Sequence, residues 1–428
     1  MYRHRGGKAG SVAVAAIAAM LAVQMIAAAA LAQTRIVWLA DASGGPERLR
    51  VYENVVDAFN SSQSEVFVEL EPVSNWSEYY QKAWVMIAAD TAPDLVFNNS
   101  PTNVHQGMFL DLTPFIEKDP EFDLADYEPT SLGFGYAVNR PGLYTLPNHL
   151  ATQGLFYNPN LFNNAGVPTP HELAQQGAWS WDDFIETGKK IVRFADDGSF
   201  LTGFAGGLMF EAFLSTFGTR IVDVVDGREV NLAGSPEVIA AMTLWQELWN
   251  DHRVLGGGGR SELFSGRLAM ATGWNDVWQV YADADFDVEA VRYPWSETRS
   301  VLVAGGSWGI PFNSKNPEAA WKFLKFVVGD YGQAAFGRTA GAIPAKMDVA
   351  VEVWSDPTWG PIHKEHAFLH PILEHGMLSE RMFAPSWSQV ERVLSPVVGQ
   401  LQRGEISPVA AAENLSRAID GALISLED

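Results

Sequence analysis

The sequence predicts an α/β fold with mainly parallel sheets, and three observations support this. In the first hundred residues, short runs of strand-forming residues alternate with stretches of helical spacing. This alternation is typical of βαβ units, which build parallel sheets. Later segments carry clear helix start signals. The chain has 428 residues, 47% of them hydrophobic, and is too long for one core, so we expect two or three domains.

The first predicted elements follow one another without a linker. They are a strand at 34–40, a Gly-rich turn at 41–47, a helix ending near Asn60, a strand at 65–71, a helix at 77–89 and a short buried strand at 93–97. No shift in composition divides the chain further on. If there are two domains, we therefore expect the chain to pass between them more than once.

Four later helices are predicted from their first residues. Ser180 is an N-cap with Asp183 as its capping-box partner. The other three begin with Ser or Asn followed by Pro, a residue favoured in the first helical turn. Their predicted spans are 236–249, 317–328 and 408–423.

The N-terminus has the pattern of a secretory signal peptide. Arg3, Arg5 and Lys8 precede an apolar run at 11–31 that closes on Ala30-Leu31-Ala32. A charged start, an apolar centre and a small-residue site together predict cleavage before Gln33 and a periplasmic protein. An uncleaved membrane anchor is the alternative, because the apolar run is nearly long enough to span a bilayer.

The chain contains no cysteine, which excludes several kinds of site. Disulfides, zinc–thiolate sites, iron–sulfur clusters and cysteine nucleophiles are all ruled out. A lipid anchor on an N-terminal cysteine is ruled out as well. The sequence therefore predicts a protein that is free in the periplasm.

The formal net charge of −22 limits the possible partners. A surface this acidic repels nucleic acid and anionic lipid, so we expect neither as a partner. It suits a neutral or cationic ligand better than a phosphate. Solubility alone is the competing explanation for the charge.

Blocks of sequence between residues 34 and 345 resemble a known family. The strongest is 313–321 (NSKNPEAAW) with 323–326, and it is preceded along the chain by blocks at 80–82, 86–89, 91–96, 110–117, 155–158, 161–166, 181–184, 235–239, 263–266, 269–270 and 305–310. In this order they resemble family 1 extracellular solute-binding proteins, the sugar receptors of ABC importers.

The resemblance implies a two-lobed periplasmic-binding-protein fold. Each lobe would be a mostly parallel sheet flanked by helices, and a hinge would join the lobes. The implied division is a signal peptide at 1–32, an N-lobe at 33–147 and 304–360, and a C-lobe at 148–303 and 361–428. Crossovers are expected near 144–153, 302–308 and 342–367. Ligand would lie between the lobes, where loops follow the strands.

Aromatic residues are the first candidates for a sugar site. A pyranose has an apolar face that a flat ring can cover and hydroxyls that polar side chains can pair. We predict Trp274, Trp308 and Trp387 as ligand platforms. The alternative for each is a place in the hydrophobic core.

Polar residues on the expected cleft loops complete the candidate site. They are Asp41, Ser43, Glu47, Asn98, Asn99, Asn148, His149 and Asp276. Several have a structural alternative, because Asp41–Glu47 can cap a helix and Asn98–Asn99 can form a turn. His149, at the expected hinge, can equally be a hydrogen-bonded structural histidine.

No cofactor, metal site or catalytic residue is predicted. His363, His366, His370 and His375 lie close in sequence, but their spacing matches no zinc-protease motif. A nucleophile elbow of the Gly-x-Ser-x-Gly type is also missing.

The sequence therefore predicts a binding protein and not an enzyme. It would capture a carbohydrate, act as a monomer and deliver its ligand to the permease subunits of an ABC importer. Two alternatives remain: a periplasmic carbohydrate-active enzyme, and a receptor for a cationic solute such as a polyamine. Which sugar is bound does not follow from the sequence.

Overall fold

The computed structural model describes residues 33–256, 258–275 and 284–423. The predicted signal peptide at 1–32 and the candidate Asp276 lie outside the described residues. None of the described helices is long and apolar enough to cross a membrane.

The described strands are numbered in chain order. They are β1 (Thr34–Asp41), β2 (Val66–Val73), β3 (Val96–Asn98), β4 (Leu146–Ala151), β5 (Gln153–Tyr157), β6 (Arg193–Phe194), β7 (Phe200–Gly206), β8 (Val222–Val225), β9 (Arg228–Asn231), β10 (Leu255–Gly256), β11 (Leu268–Trp274), β12 (Glu289–Arg292), β13 (Val301–Gly309), β14 (Ile343–Pro344) and β15 (Gly376–Leu378).

The described α-helices are α1 (Pro46–Ser62), α2 (Trp76–Ala88), α3 (Pro101–His105), α4 (Thr113–Ile116), α5 (Pro129–Leu132), α6 (Pro159–Ala165), α7 (Pro170–Gln175), α8 (Trp181–Ile191), α9 (Phe210–Ser215), α10 (Pro236–Asn250), α11 (Arg260–Phe264), α12 (Pro317–Val328), α13 (Asp330–Ala340), α14 (Met347–Trp354), α15 (His370–His375), α16 (Glu380–Phe383), α17 (Trp387–Gln402) and α18 (Pro408–Asp420). A 3₁₀ turn at Leu124–Asp126 and a π-helical turn at Glu365–Leu369 complete the helical structure of this part of the chain.

The four predicted helix starts are confirmed. The Ser180 side chain accepts from the Asp183 backbone N–H, and the Asp183 carboxylate accepts from Ser180, which completes a capping box. Ser235 and Ser407 cap α10 and α18, each accepting from a backbone N–H three residues on. Asn316 precedes α12 without a side-chain cap, so proline alone marks that start.

The first sheet is built around β13. That strand pairs antiparallel with β3 and β4 and parallel with β15, and β14 extends the sheet beyond β4. The parallel pair β1–β2 joins it through a bridge between Trp38 and Leu95. Helices α1, α12 and α13 pack against these strands.

The second sheet has the order β10-β7-β11-β5-β12, and β6 pairs with β7. Strands β7, β10 and β11 are parallel, whereas β5 runs antiparallel to both β11 and β12. Helices α8, α10 and α11 pack here, and α17 and α18 pack on α10. We call the first sheet with the helices packed on it the first half of the molecule, and the second sheet with the helices packed on it the second half.

The α/β class is confirmed, but both sheets are mixed and not mostly parallel. The strands that run against their neighbours are β13 in the first sheet and β5 in the second. Each is the strand by which the chain enters from the other sheet. A strand that continues directly from a neighbouring sheet has its direction set there, so it need not follow the βαβ units that it joins.

Polar side chains tie together the segments that pass between the halves. Only Thr152 separates β4 of the first sheet from β5 of the second. Its backbone N–H donates to Asn275 Oδ1 at 2.8 Å, and its hydroxyl donates to the Leu302 carbonyl at 2.6 Å. Asn275 Nδ2 in turn donates to the Gly341 carbonyl at 3.0 Å. Both side chains are buried, so the hydrogen bonds hold four distant segments in register.

The core of the first half is rich in aromatic side chains. Trp38 makes edge-to-face contacts with Tyr52, Trp308 and Phe323 at centroid distances of 4.9–5.1 Å. Phe97 approaches Trp308 at 5.2 Å. These contacts enclose Trp308 completely, and its exposed fraction is 0%.

Candidate ligand-binding cleft

A cavity of about 420 Å³ lies where the two halves meet. The first half contributes β4, β13 and the start of α3, and the second half contributes the end of β11. The helices α16 and α17 close a further side. The lining residues are Asn99, Ser100, Pro101, Thr102, His149, Ala151, Trp274, Ala304, Gly305, Arg381, Met382, Ala384, Trp387, Ser388 and Glu391.

Trp274 lines the cavity from the second half. It is the last residue of β11, where it pairs with Gln153 at the start of β5. The next residue, Asn275, belongs to the hydrogen bonds that join the halves. Trp274 is half-buried, so part of its ring remains available to a ligand. Its position at a strand end places an aromatic surface beside the crossover.

Trp387 lines the cavity from the start of α17. The carboxylate of Glu229 on β9 accepts from both the backbone N–H and the hydroxyl of Ser386, which fixes the entry to this helix. Trp387 is 5% exposed, and its buried Nε1–H has no hydrogen-bond partner among the described residues. A buried donor without a partner is costly, so a ligand oxygen that reached this N–H would offset that cost.

His149 lines the cavity from β4 as a neutral imidazole. Burial, with a smaller contribution from Arg48, lowers its pKa to about 4. The amide nitrogen of Asn148 lies 3.1 Å from His149 Nδ1 and can only donate, so Nδ1 accepts and Nε2 carries the proton. The ring lies parallel to Phe97. His149 therefore offers the cleft one uncharged donor.

The backbone of β13 closes the wall beside His149. A Cβ on Gly305 would lie 2.1 Å from the His149 carbonyl, so only glycine allows β13 and β4 to approach this closely. A Cβ on Gly306 would lie 2.1 Å from the ring of Phe97, so each glycine of the pair permits a close approach.

The start of α3 contributes polar groups and a long-range contact. The Tyr80 hydroxyl donates to Asn99 Oδ1, which orients the amide. The Thr102 hydroxyl donates to the Pro385 carbonyl at 3.0 Å. This bond joins α3 to the segment that carries Trp387, so two sides of the cavity are fixed relative to each other.

Arg381 is the centre of the one cluster of ion pairs found among the described lining residues. Its Nη2 lies 2.8 Å from Glu211 Oε1 and 2.5 Å from Glu391 Oε1. Its guanidinium carbon is 5.7 Å from the centre of the Trp387 ring. One guanidinium paired with two carboxylates gives this cluster a formal charge of −1, and both carboxylates are engaged by Arg381.

Glu380, next to Arg381, is a fully buried carboxyl whose pKa burial raises to about 7. The folded chain binds this proton more tightly than the unfolded chain, so the resulting stability is present below about pH 4.5 and is lost as the pH rises to about 7. We expect Glu380→Gln, which keeps the Oε1 acceptor for the Ile221 N–H, to remove this loss. When the pH is raised from 5 to 8, the unfolding free energy of the parent should fall relative to that of the variant by on the order of 2–3 kcal/mol.

Urea unfolding at the two pH values measures this effect. Glu413→Gln, at an exposed position on α18, is the matched control and should follow the parent protein. An identical pH dependence in Glu380→Gln and the parent would mean that Glu380 does not titrate in this range.

Four of the eleven predicted site residues line the cavity: Asn99, His149, Trp274 and Trp387. Trp308 does not, and the prediction of a ligand platform there is wrong. Its ring is enclosed by Trp38, Tyr52 and Phe97 in the core of the first half. Sequence position placed it next to the cleft, but its side chain packs among these rings and is 0% exposed.

The polar residues 41–47 also lie outside the lining of the cavity. Asp41 is 1% exposed, accepts from the Ser43 backbone N–H and forms an ion pair with Arg48 at 3.3 Å. Ser43 and Glu47 are exposed to solvent. Gly45 is the N-cap of α1 and no side chain caps this helix, so the turn does not have the capping role that was the structural alternative for Asp41–Glu47.

Asn98 and Asn148 are buried beside the cavity and do not line it. Asn98 Oδ1 accepts from Asn103 Nδ2 at 2.9 Å and closes the turn into α3. Asn148 donates to His149 and so sets the tautomer of a lining residue. Neither amide is exposed to the cavity, and each is hydrogen-bonded to a neighbouring residue instead.

Sequence reasoning did not find Arg381, Glu391 or Ser388. They lie on α16 and α17, beyond residue 345, where the resemblance to a known family ends. The spacing of Trp387, Ser388 and Glu391 on one helix is the signal that could have found them, because residues three and four apart share a face.

The chain resembles known proteins both in sequence and in fold. Residues 54–361 match the model of a family described as bacterial extracellular solute-binding protein. The arabinooligosaccharide-binding protein of Bacillus subtilis is 26% identical over 259 residues, which is 56% of this chain and 55% of the relative. The match thus spans about half the length of this curated relative.

Solved structures resemble the whole described fold. One is the cyclic alpha-maltosyl-1,6-maltose binding protein from Arthrobacter globiformis, with a TM-score of 0.74, 19% identity and coverage of 91% of this chain and 99% of that one. Another is the sugar-binding protein MalE from Xanthomonas citri, with a TM-score of 0.73, 18% identity and coverage of 91% and 97%. At this identity the likeness shows the fold, and the expected two-domain architecture is confirmed.

Proposed function

The chain belongs to the family of bacterial extracellular solute-binding proteins, and from this premise we propose that it captures a carbohydrate in the cleft and delivers it to the permease subunits of an ABC importer. The family is one of binding proteins and not of enzymes. A secreted, monomeric protein of the periplasm, released by cleavage before Gln33, is part of the same proposal.

One observation carries the proposal: two tryptophans from different parts of the chain line the same cavity beside uncharged polar groups. Trp274 and Trp387 offer apolar surface for the faces of sugar rings. His149 Nε2–H, Trp387 Nε1–H and the Asn99 amide offer hydrogen bonds for hydroxyls. This combination is what a ligand with apolar faces and a polar rim requires.

The charges of the wall favour a neutral ligand over a polyamine. Among the described lining residues, Glu391 is the one carboxylate, and it is bonded to Arg381. A polycation would need several free carboxylates around an aromatic box. The acidic surface of the whole protein is therefore better explained by solubility than by ligand choice.

The relatives agree with a carbohydrate ligand. The Bacillus subtilis relative is named for an arabinooligosaccharide, and the similar structure from Arthrobacter globiformis is named for a cyclic maltosyl-maltose. We propose the same chemical class for this chain and leave the individual sugar to experiment.

The proposed mechanism is closure of the two halves around the ligand. We propose the buried cluster around Thr152 and Asn275 as the hinge, since four segments meet there. The sugar would stabilise the closed state only through contacts that the open state lacks. The proposed lobes are 33–147 with 304–360 and 148–303 with 361–428, although 148–151 of β4, 301–303 of β13 and the whole of β15 belong to the first sheet.

The test is isothermal titration of residues 33–428, refolded to remove carried ligand, with mono- and oligosaccharides. We expect saturable binding of one intact sugar, with a Kd that is nearly independent of salt. Spermidine is the control for a cationic ligand. Salt-sensitive spermidine binding with no response to sugars would overturn the proposal, and continued heat as the sugar is consumed would indicate an enzyme.

A further inference from the structure

A second cavity, of about 190 Å³, lies in the second half and shares no lining residue with the cleft. It is bounded by α7, β12, the loop after β12, and residues 366–374. We infer that this cavity is a binding site for a small oxyanion of the phosphate or sulfate type. The proposal does not depend on the identity of the ligand in the cleft.

Arg292 is the most informative residue of this cavity. It is 9% exposed, and its Nε has no hydrogen-bond partner among the described residues. Its Nη2 donates to the backbone carbonyl of Arg299. No carboxylate in the described chain forms an ion pair with it, and burial together with nearby Arg299 lowers its pKa to about 10. Glu374, in the same lining, is the nearby negative charge, but no ion pair joins it to Arg292, so the buried cation is only partly compensated and a bound anion would offset the remaining cost.

Arg299 supplies a second guanidinium beside the same indole. Its guanidinium carbon lies 4.6 Å from the centre of the Trp295 ring, and that of Arg292 lies 5.8 Å from it. Trp295 is therefore a shared surface that positions both cations. Two planar guanidinium groups facing one cavity are the arrangement that recognises phosphate and sulfate through paired N–H donors.

Three histidines, one glutamine and one carboxylate complete the polar lining: His171, His366, His370, Gln175 and Glu374. Burial, followed by His363 and His366, lowers the pKa of His171 to about 4, so it contributes hydrogen bonding without charge at neutral pH. The two arginines and Glu374 together contribute a formal charge of +1 to the lining. This is a local excess in a protein whose formal net charge is −22.

The same features argue against a metal ion or a sugar. Among the described residues, no group of three or more His, Asp or Glu is arranged to hold a metal, and two guanidiniums would repel one. The volume is less than half that of the cleft and suits an ion better than an oligosaccharide.

The test is titration of residues 33–428 with sodium sulfate and sodium phosphate against sodium chloride of equal ionic strength. We expect saturable sulfate or phosphate binding that Arg299→Gln weakens at least tenfold. Glu374→Gln, which removes the one described carboxylate of the lining, should tighten it severalfold. Arg260→Gln and Glu237→Gln, at exposed positions of the second half, make the same charge changes elsewhere and should leave the Kd unchanged.

Sugar binding separates this site from the cleft. Arg299→Gln should bind the cleft ligand as the parent does, and Trp274→Ala should still bind the oxyanion. Equal oxyanion affinity in Arg299→Gln and the parent, or the same response to chloride as to sulfate, would overturn the proposal.

Discussion

Replacing Trp308 with alanine is expected to lower the free energy of unfolding by about 3–5 kcal/mol, the usual cost of removing a large aromatic side chain from a core. The ring is fully buried and contacts Trp38, Tyr52 and Phe97. Urea unfolding followed by circular dichroism measures the change. Alanine at Trp274 should destabilise the protein less, because that ring is only half-buried.

Trp308→Phe is the matched control for this result. It keeps an aromatic ring in the cluster and should recover more than half of the lost stability. The folded fraction of Trp308→Ala should bind the cleft ligand with unchanged affinity, because the ring does not line the cavity. Loss of binding with unchanged stability would return Trp308 to the ligand site and contradict the structure.

Replacing Trp274 or Trp387 with alanine is expected to weaken ligand binding by about 2 kcal/mol or more, which is about a 30-fold rise in Kd. Each ring is an aromatic wall of the cavity. Isothermal titration with the sugar identified for the parent protein measures the change. Trp274 is half-buried and should lose affinity with little loss of stability, whereas Trp387, at 5% exposed, should lose both.

Trp249→Ala is the control for a general effect of tryptophan removal. Trp249 on α10 is half-buried like Trp274 but packs on Trp245, outside the cavity lining. Its loss should leave the Kd unchanged. Unchanged affinity in Trp274→Ala would remove that residue from the site, and global unfolding would place it in the core.

Local features of the chain could be predicted because they depend on neighbouring residues. The capping box of Ser180 and Asp183 forms across three residues, and Ser235-Pro236 marks a helix start without reference to the rest of the fold. The strand–helix alternation predicted the α/β class for the same reason. The direction of β5 and β13 could not be predicted, because it depends on how the chain passes between two sheets.

The candidate site was predicted only in part, and the tryptophans show why. All three candidates lie near glycine, serine or asparagine in sequence, yet Trp308 is in the core while Trp274 and Trp387 line the cleft. By itself, the sequence determined the helix starts, the absence of thiol chemistry and the supply of aromatic residues. Only the tertiary structure decided which aromatic rings line the cavity, because that depends on contacts such as the one from Thr102 to Pro385, which lie 283 positions apart in the chain.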